Sequence, residues 1–286
     1  MKKKHSKSFG LFPSYEYWTP DVKGILLLIL WLAVGMGLGV AVTFLMSLST
    51  GKSFTEDYGI LISYPLQFIP AMLYASFKSH RNEGFDNVAN PLDDSRFAPM
   101  GASLVAVLCV FGTIAAAFLV EPVSLLLPDM PAFLEEALKK LAEGPLWVSI
   151  LSTAVFAPFF EEWLCRGMVL RGLLSKTKPS VAILVSALFF ALIHGNPWQA
   201  IPAFLLGSFF GIVYWKTGSL KLTMLMHSAN NLASIAAMQI PALKEYDYLY
   251  CAFEGRMGQY FFLYGLCAIL VIVIIHKLLS KEFRRA

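Results

Sequence analysis

The sequence is poor in charged residues, because Asp, Glu, Lys and Arg make up only 15% of its 286 residues. Soluble domains carry about 25%, so this scarcity argues against a water-soluble enzyme. The 57% of hydrophobic residues excludes a disordered chain. The four cysteines, Cys109, Cys165, Cys251 and Cys267, show no CxxC spacing, which indicates neither a disulfide framework nor a thiolate zinc site. The class of protein that this composition favours is therefore a polytopic membrane protein.

Long apolar runs predict an all-α polytopic membrane protein with about eight transmembrane helices. Crossing the hydrocarbon takes about 20 residues. On that rule the spans are 24–48, 59–77, 100–120, 146–168, 180–194, 198–215, 219–239 and 259–279. The first run starts too late and is too long for a cleaved signal peptide. A single membrane domain is therefore predicted over 1–286, with a cytoplasmic N-terminal tail over 1–23.

The basic residues favour an orientation with both termini in the cytoplasm. With the N-terminus inside, the outer segments hold only five of the 23 Lys and Arg residues, namely Lys52, Lys139, Lys140, Lys244 and Arg256. This bias follows the positive-inside rule and predicts a multi-pass protein of the cell membrane. The net charge of +4 is modest, and no nucleic-acid partner is expected.

Two segments are predicted to lie outside the spans. Residues 79–99 are polar and turn-rich and are expected to form a cytoplasmic loop. In residues 131–143, the apolar side chains share one helical face. This pattern favours a short helix in the outer interface, and an ordinary loop helix remains as the alternative.

Charged side chains within spans are costly, so each one requires a reason. Glu161, Glu162 and Arg166 lie late in the fourth span, after an apolar stretch. The i, i+4 spacing lets Glu162 pair with Arg166, while Glu161 points about 100° away and lacks a partner on its own helix. The pattern suits a general base beside a structural ion pair. Alternatively, these residues are a solvated helix end.

Two further spans contain histidine. His194 ends the fifth span, and His227 lies four residues before Asn231 in the seventh. Each has a structural alternative, since a single histidine is more often structural and a His–Asn pair can join helices in lipid. Together with Glu161, however, the set could hydrolyse a peptide bond. A carboxylate and a histidine can activate a water, and a second histidine and an amide can donate to the oxyanion.

These residues resemble the CAAX protease and bacteriocin-processing (CPBP, or Abi) family of intramembrane endopeptidases. The family pattern is Glu-Glu-x-x-x-Arg, then Phe-x-x-x-His, then His-x-x-x-Asn or Asp. The three motifs occur here in this order at 161–166, 190–194 and 227–231. The resemblance covers about residues 146–240, predicted as a CAAX-protease-like catalytic core, and the first three spans carry nothing diagnostic.

The resemblance implies cleavage near the C-terminus of prenylated proteins, or peptide processing and immunity. It also implies site roles: Glu161 and His194 would activate water, while His227 and Asn231 would hold the oxyanion. Glu162 and Arg166 would support them. The expected partners are the lipid bilayer and a protein or peptide substrate, with lipidation and oligomeric state left open.

No cofactor is predicted, because the chain lacks the HExxH spacing of zinc proteases. Zinc held by two histidines and a glutamate stays open as an alternative. Two other functions also stay open: a proton-coupled transporter, and a non-catalytic immunity or scaffold protein that uses the same buried polar residues.

The predicted span limits leave one inconsistency in depth. At 1.5 Å per residue, Glu161 lies about 10 Å and His227 about 12 Å from the cytoplasmic end of its span, whereas His194 lies about 21 Å away. We therefore expect the fifth helix to begin in the cytosol and the Gly-Asn-Pro sequence at 195–197 to turn inside the membrane. Such a turn is permitted only where it lines a protein cavity or water.

Overall fold

The structure, a computed structural model, describes residues 12–83, 88–240 and 249–284. Ten helices contain most of this part of the chain, and no β-strand occurs within it. Their bounds are α1 Val22–Thr50, α2 Lys52–Tyr58, α3 Ile60–Glu83, α4 Ala102–Ser124, α5 Ala132–Glu143, α6 Leu146–Leu174, α7 Pro179–Leu192, α8 Pro197–Thr217, α9 Leu220–Gln239 and α10 Met257–Ser280. The all-α membrane fold is therefore confirmed.

Within these described ranges, six helices are long and apolar enough to cross a membrane: α1, α3, α4, α6, α8 and α10. Sequence analysis predicted eight spans. The fifth, α7, has only 14 residues, or about 21 Å. The seventh, α9, has 20 residues but carries His227 and two asparagines, and it is not among the six. Whether α7 and α9 also cross the bilayer stays a prediction.

The helix α6 is the centre of the bundle. In its most apolar stretch 61% of the residues are buried, against 11–44% in the other five candidate spans. Neighbouring helices pack around it, and local sequence signals set their ends. Asn196 Oδ1 accepts from the backbone N–H of Gln199 at 2.9 Å and begins α8. Gly218, with φ +63°, ends α8, and Ser219 caps α9 by accepting from the N–H of Leu222.

The segments at both ends of the described chain lie at the same face of the bundle. The backbone N–H of Asn90 donates to the carbonyl of Glu16 at 2.8 Å. Ala98 and Arg284 exchange two backbone hydrogen bonds of 3.0 and 3.1 Å. Because residues 88–101 thus contact both ends, the first and last described residues lie on one side.

Part of the predicted N-terminal tail is packed against the protein. Tyr15 and Trp18 are buried, and the guanidinium of Arg171, near the end of α6, donates to both of their carbonyls. The same side chain also donates to the carbonyl of Asn90. Residues 12–21 therefore cover this end of α6, while residues 1–11 lie outside the described chain.

The helix predicted over 131–143 is confirmed as α5. Its exposed face carries the i, i+4 ion pairs Glu135–Lys139 at 2.5 Å and Glu136–Lys140 at 3.0 Å. Such exposed pairs contribute little stability. The location of α5 in the outer interface stays a prediction.

The helix of the fourth predicted span is longer than the span itself. The predicted end was residue 168, whereas α6 continues to Leu174. Glu161 is therefore about 20 Å from the end of its helix, although it contacts His227, which lies near the start of α9. Distances from helix ends thus do not give depths in the bilayer. Whether the turn at 195–197 lies inside the membrane stays a prediction. Trp198, directly after the turn, donates its indole N–H to the carbonyl of Pro128 at 2.8 Å, so the turn lies level with the loop that follows α4.

The contact between α1 and α3 depends on glycine. A Cβ atom on Gly35 would overlap the backbone carbonyl of Gln67, whereas one on Gly37 would meet nothing within 4 Å. Replacing Gly35 with valine must therefore push α3 away, at a cost of about 1–3 kcal/mol for such overpacking.

We expect Gly35→Val to lower the thermal unfolding midpoint of the detergent-solubilised protein, and Gly37→Val on the same helix to leave it within error of wild type. Equal midpoints for the two variants would contradict the described α1–α3 contact.

Candidate active site

The helix α6 is irregular on both sides of its two glutamates. An α-helical turn, Ala157–Glu162, lies between π-helical stretches at Ile150–Phe156 and Trp163–Leu170. Wide turns of this type interrupt the regular hydrogen-bond ladder and are frequent at functional sites. Sequence analysis did not predict them.

Side chains from neighbouring helices bond to carbonyls in these wide turns. On α9, Ser228 Oγ donates to the carbonyl of Ala154 at 2.6 Å. On α7, Ser186 Oγ donates to the carbonyl of Cys165 at 2.8 Å. These bonds fix α6 between α9, which carries His227, and α7, which ends two residues before His194.

The predicted Glu162–Arg166 ion pair is present and fully buried. Arg166 Nη1 lies 2.9 Å from Glu162 Oε1, and both side chains are 0% exposed. Arg166 Nη2 donates to the carbonyl of Gly207 on α8 at 2.9 Å. The guanidinium carbon lies 4.5 Å from the ring centre of Phe190 and 5.5 Å from that of Phe210, which adds cation–π attraction.

His227 lies between the two glutamates. Its Nδ1 is 3.1 Å from Glu162 Oε1, and its Nε2 is 3.9 Å from Glu161 Oε2. Because a carboxylate only accepts hydrogen bonds, Nδ1 must carry the hydrogen. The ring also packs against Phe190 and Phe210, with centroid distances of 5.4 and 5.9 Å. The imidazole is therefore fixed in orientation, with Nε2 directed towards Glu161.

The carboxylate of Glu161 has two unlike oxygens. Oε1 accepts a hydrogen bond from the hydroxyl of Tyr64 on α3. Oε2 is buried and has no hydrogen-bond partner within the described structure, and its distance to His227 Nε2 is too long for one. A buried carboxylate oxygen in this condition is expected to face a water or a substrate.

Tyr64 is the functional candidate that sequence analysis missed. The first three spans were said to carry nothing diagnostic, yet α3 supplies this contact. Phe68, one turn further along α3, stacks on Phe160 at 5.2 Å with an interplanar angle of 16°. This packing sets α3 against α6 so that Tyr64 reaches Glu161. No spacing rule connects residues so distant in sequence, and thus nothing in the sequence singled out Tyr64.

His194 is next to the cluster but not bonded to it. Its Nδ1 is 2.8 Å from the carbonyl of Phe190, so Nδ1 carries a hydrogen and the neutral ring has its lone pair on Nε2. The His194 ring packs edge-on to Phe190 at 5.0 Å, and Phe190 also contacts His227. No hydrogen bond or ion pair joins His194 to Glu161 among the described residues.

Asn231 lies one turn beyond His227 on α9. Its Nδ2 donates to the carbonyl of Thr153 at 2.7 Å, and its Oδ1 accepts from the amide of Asn230 at 3.2 Å. These two bonds fix the amide plane and leave one N–H of Nδ2 for another acceptor. Glu161, Glu162, Arg166 and His227 thus form one contact cluster, with His194 and Asn231 at its margins.

A metal site is not formed by the described side chains. Within residues 12–83, 88–240 and 249–284, no three His, Cys, Asp or Glu residues are arranged to hold a metal ion.

Residues 143–233 match the family model of the type II CAAX prenyl endopeptidases, Rce1-like. The match covers about a third of the chain and contains all six predicted site residues. No curated protein and no solved structure matches the chain. The family match confirms the resemblance drawn from the three motifs.

The buried ion pair yields a prediction about stability. Arg166→Met leaves the carboxylate of Glu162 buried without its cation, and breaking a buried pair in this way costs about 3–5 kcal/mol. We expect the double variant Glu162→Leu/Arg166→Met to be less destabilised than Arg166→Met alone, because it removes both charges. The measurement is unfolding in detergent micelles.

The control is Arg256→Met, which removes an exposed arginine and should leave stability unchanged. A double variant that is less stable than Arg166→Met would contradict the buried pair.

Proposed function

We propose that this multi-pass membrane protein is an intramembrane endopeptidase that cleaves CAAX-type substrates near the C-terminus by direct attack of water. The observation that carries the proposal is Glu161 Oε2, which is buried, lacks a hydrogen-bond partner and faces His227 Nε2 at 3.9 Å. Polar groups separated by more than about 3.5 Å can be bridged by a water.

The charges of the cluster suit this chemistry. Glu161, Glu162 and Arg166 together carry a net charge of −1 when all three are ionised. Uncompensated charge is costly in an apolar interior, and one proton on His227 neutralises it. His227 then has an N–H on Nε2, because Nδ1–H already bonds to Glu162. This N–H can donate to the oxygen of a substrate carbonyl.

The proposed reaction proceeds in two steps. In the first, Glu161 takes a proton from water as the water oxygen attacks the peptide carbonyl carbon. The resulting oxyanion accepts hydrogen bonds from His227 Nε2–H and the remaining N–H of Asn231. In the second, the C–N bond breaks and Glu161 returns the proton to the leaving amine. The products are a new carboxylic acid and a free amine, which become a carboxylate and an ammonium group by proton transfer.

His194 has a supporting role in this proposal. Its Nδ1–H bonds to the carbonyl of Phe190, so its Nε2 offers a lone pair. A lone pair on this side of Phe190 can accept the second hydrogen of the attacking water and orient it. Glu162 and Arg166 hold His227 and do not contact the substrate.

We further propose that α7 and α9 complete eight crossings and that both termini face the cytoplasm. The two described ends of the chain lie on one side, which requires an even number of crossings. The excess of Lys and Arg in the segments on that side favours the cytoplasm. The cell membrane is the expected location.

The family match supports a peptidase over a proton-coupled transporter. An immunity or scaffold role would retain the same residues, and only an activity measurement separates it from catalysis.

The first functional prediction concerns Glu161. Glu161→Gln keeps the size and one carbonyl oxygen of the side chain but removes its basicity. We expect cleavage of a farnesylated CAAX-type peptide by the purified protein to fall by about 10²–10⁴-fold, the usual contribution of a general base. The rate of cleavage is measured by mass spectrometry of the released tripeptide.

The matched control is Glu254→Gln, an exposed glutamate, which should cleave at the wild-type rate. Wild-type cleavage by Glu161→Gln would remove Glu161 from the mechanism. Absence of cleavage by well-folded wild-type protein, on farnesylated and unmodified peptides alike, would favour the scaffold role.

The second prediction concerns metal dependence. Because the proposed chemistry uses only side chains and water, prolonged treatment with EDTA or 1,10-phenanthroline should leave the cleavage rate unchanged. Loss of activity that added Zn²⁺ restores would instead favour the zinc alternative.

A further inference from the structure

The hydroxyl of Tyr64 is a polar contact of the site that the proposed reaction does not use. Tyr64 lies on α3, outside the region that matches the family model. Its hydroxyl donates to Glu161 Oε1. The direction of the bond is unambiguous for an ionised carboxylate, which only accepts.

This bond makes the two oxygens of Glu161 inequivalent. Oε1 accepts the hydrogen bond from the phenol, and only Oε2, which lies 3.9 Å from His227 Nε2, is left to bind a water. Without the phenol, the carboxylate could rotate about its last side-chain bond, because such terminal torsions have broad minima. The hydroxyl therefore selects the orientation in which a single oxygen faces the attacking water.

The position of the phenol is itself fixed by packing. The Tyr64 ring contacts Phe68 at 5.7 Å, and Phe68 stacks on Phe160, the residue before Glu161. The hydroxyl donor on α3 and the carboxylate acceptor on α6 are thus held together by the aromatic stack between the two helices.

We propose that Tyr64 is a positioning residue that orients and stabilises the ionised carboxylate of Glu161 for proton abstraction. This inference rests on the proposed function. The titratable groups that interact with Glu161 in the described structure are Tyr64 on α3, His227 on α9 and Cys165 on α6. The ion pair of Glu162 and Arg166 lies beside it on α6.

The test compares two variants that each remove one hydroxyl from α3. Tyr64→Phe deletes the donor to Glu161. Tyr74→Phe, ten residues further along, deletes a hydroxyl whose ring packs on Trp18 and Trp31. We expect Tyr64→Phe to lower kcat by about tenfold or more, the effect of losing a hydrogen bond to a charged group, with KM nearly unchanged. Tyr74→Phe should retain wild-type values.

The pH profile provides a measurement that a purely structural role would not change. A carboxylate that loses a donor binds its proton more tightly. The acidic limb of kcat/KM should therefore move to higher pH in Tyr64→Phe, by roughly one pH unit for a tenfold effect. A wild-type kcat and profile would overturn the inference. So would lower activity with an unchanged profile and a lower unfolding midpoint, which would indicate a structural role alone.

Infrared difference titration separates failure of this inference from failure of the proposed function. The protonated-carboxyl band that disappears in Glu161→Gln reports on Glu161 directly, whether or not the protein cleaves peptides. We expect this band to appear at higher pH in Tyr64→Phe than in Tyr74→Phe or wild type. If wild type cleaves nothing, the proposed function fails, and the titration still decides the role of Tyr64: an unshifted band overturns it.

Discussion

The site depends on the buried ion pair between Glu162 and Arg166. Removing two charges from water into an apolar interior is costly, and attraction compensates only when the remaining donors and acceptors are also satisfied. Here Arg166 bonds to Glu162 and to the carbonyl of Gly207, with Phe190 beside the guanidinium, while Arg166 Nε and Glu162 Oε2 have no hydrogen-bond partner in the described structure. The pair in turn supplies the acceptor that fixes His227. One charged contact thus joins α6, α8 and α9 and sets the imidazole opposite Glu161.

The adjacent glutamates have different roles because of helix geometry. Side chains that are next to each other in sequence point in different directions, and Glu161 and Glu162 contact different ring nitrogens of His227. Arg166 and His227 both bond to Oε1 of Glu162, whereas Oε1 of Glu161 bonds to Tyr64. The Oε2 atom of each glutamate is buried without a hydrogen-bond partner in the described structure, and that of Glu161 faces His227 Nε2. The Glu162 side chain is fully buried, whereas that of Glu161, the proposed base, is 12% exposed.

Much of the site could be predicted from the local spacing of residues in the sequence, whereas contacts between distant segments could not. The pairing of Glu162 with Arg166 follows from the i, i+4 rule. The three ordered motifs of the family predicted that His227 belongs to the same site. Three features depend on long-range packing instead. They are the contact of Tyr64 with Glu161, the wide turns of α6, and the hydrogen bond that the Asn231 amide donates to the carbonyl of Thr153. The fourth span was predicted to end at residue 168, whereas α6 continues to Leu174 and includes Arg171. In the structure, its guanidinium donates to carbonyls of the N-terminal segment and of residue 90, so the helix continues past it.

The central claim is that a water held at Glu161 attacks the substrate carbonyl directly. The most direct measurement is a single turnover in heavy-oxygen water, with the masses of the released peptide and of the intact protein recorded together. The account predicts heavy oxygen in the newly formed carboxylate while the protein mass stays unchanged at every time point. A transient increase in protein mass equal to an acyl fragment of the substrate would contradict it.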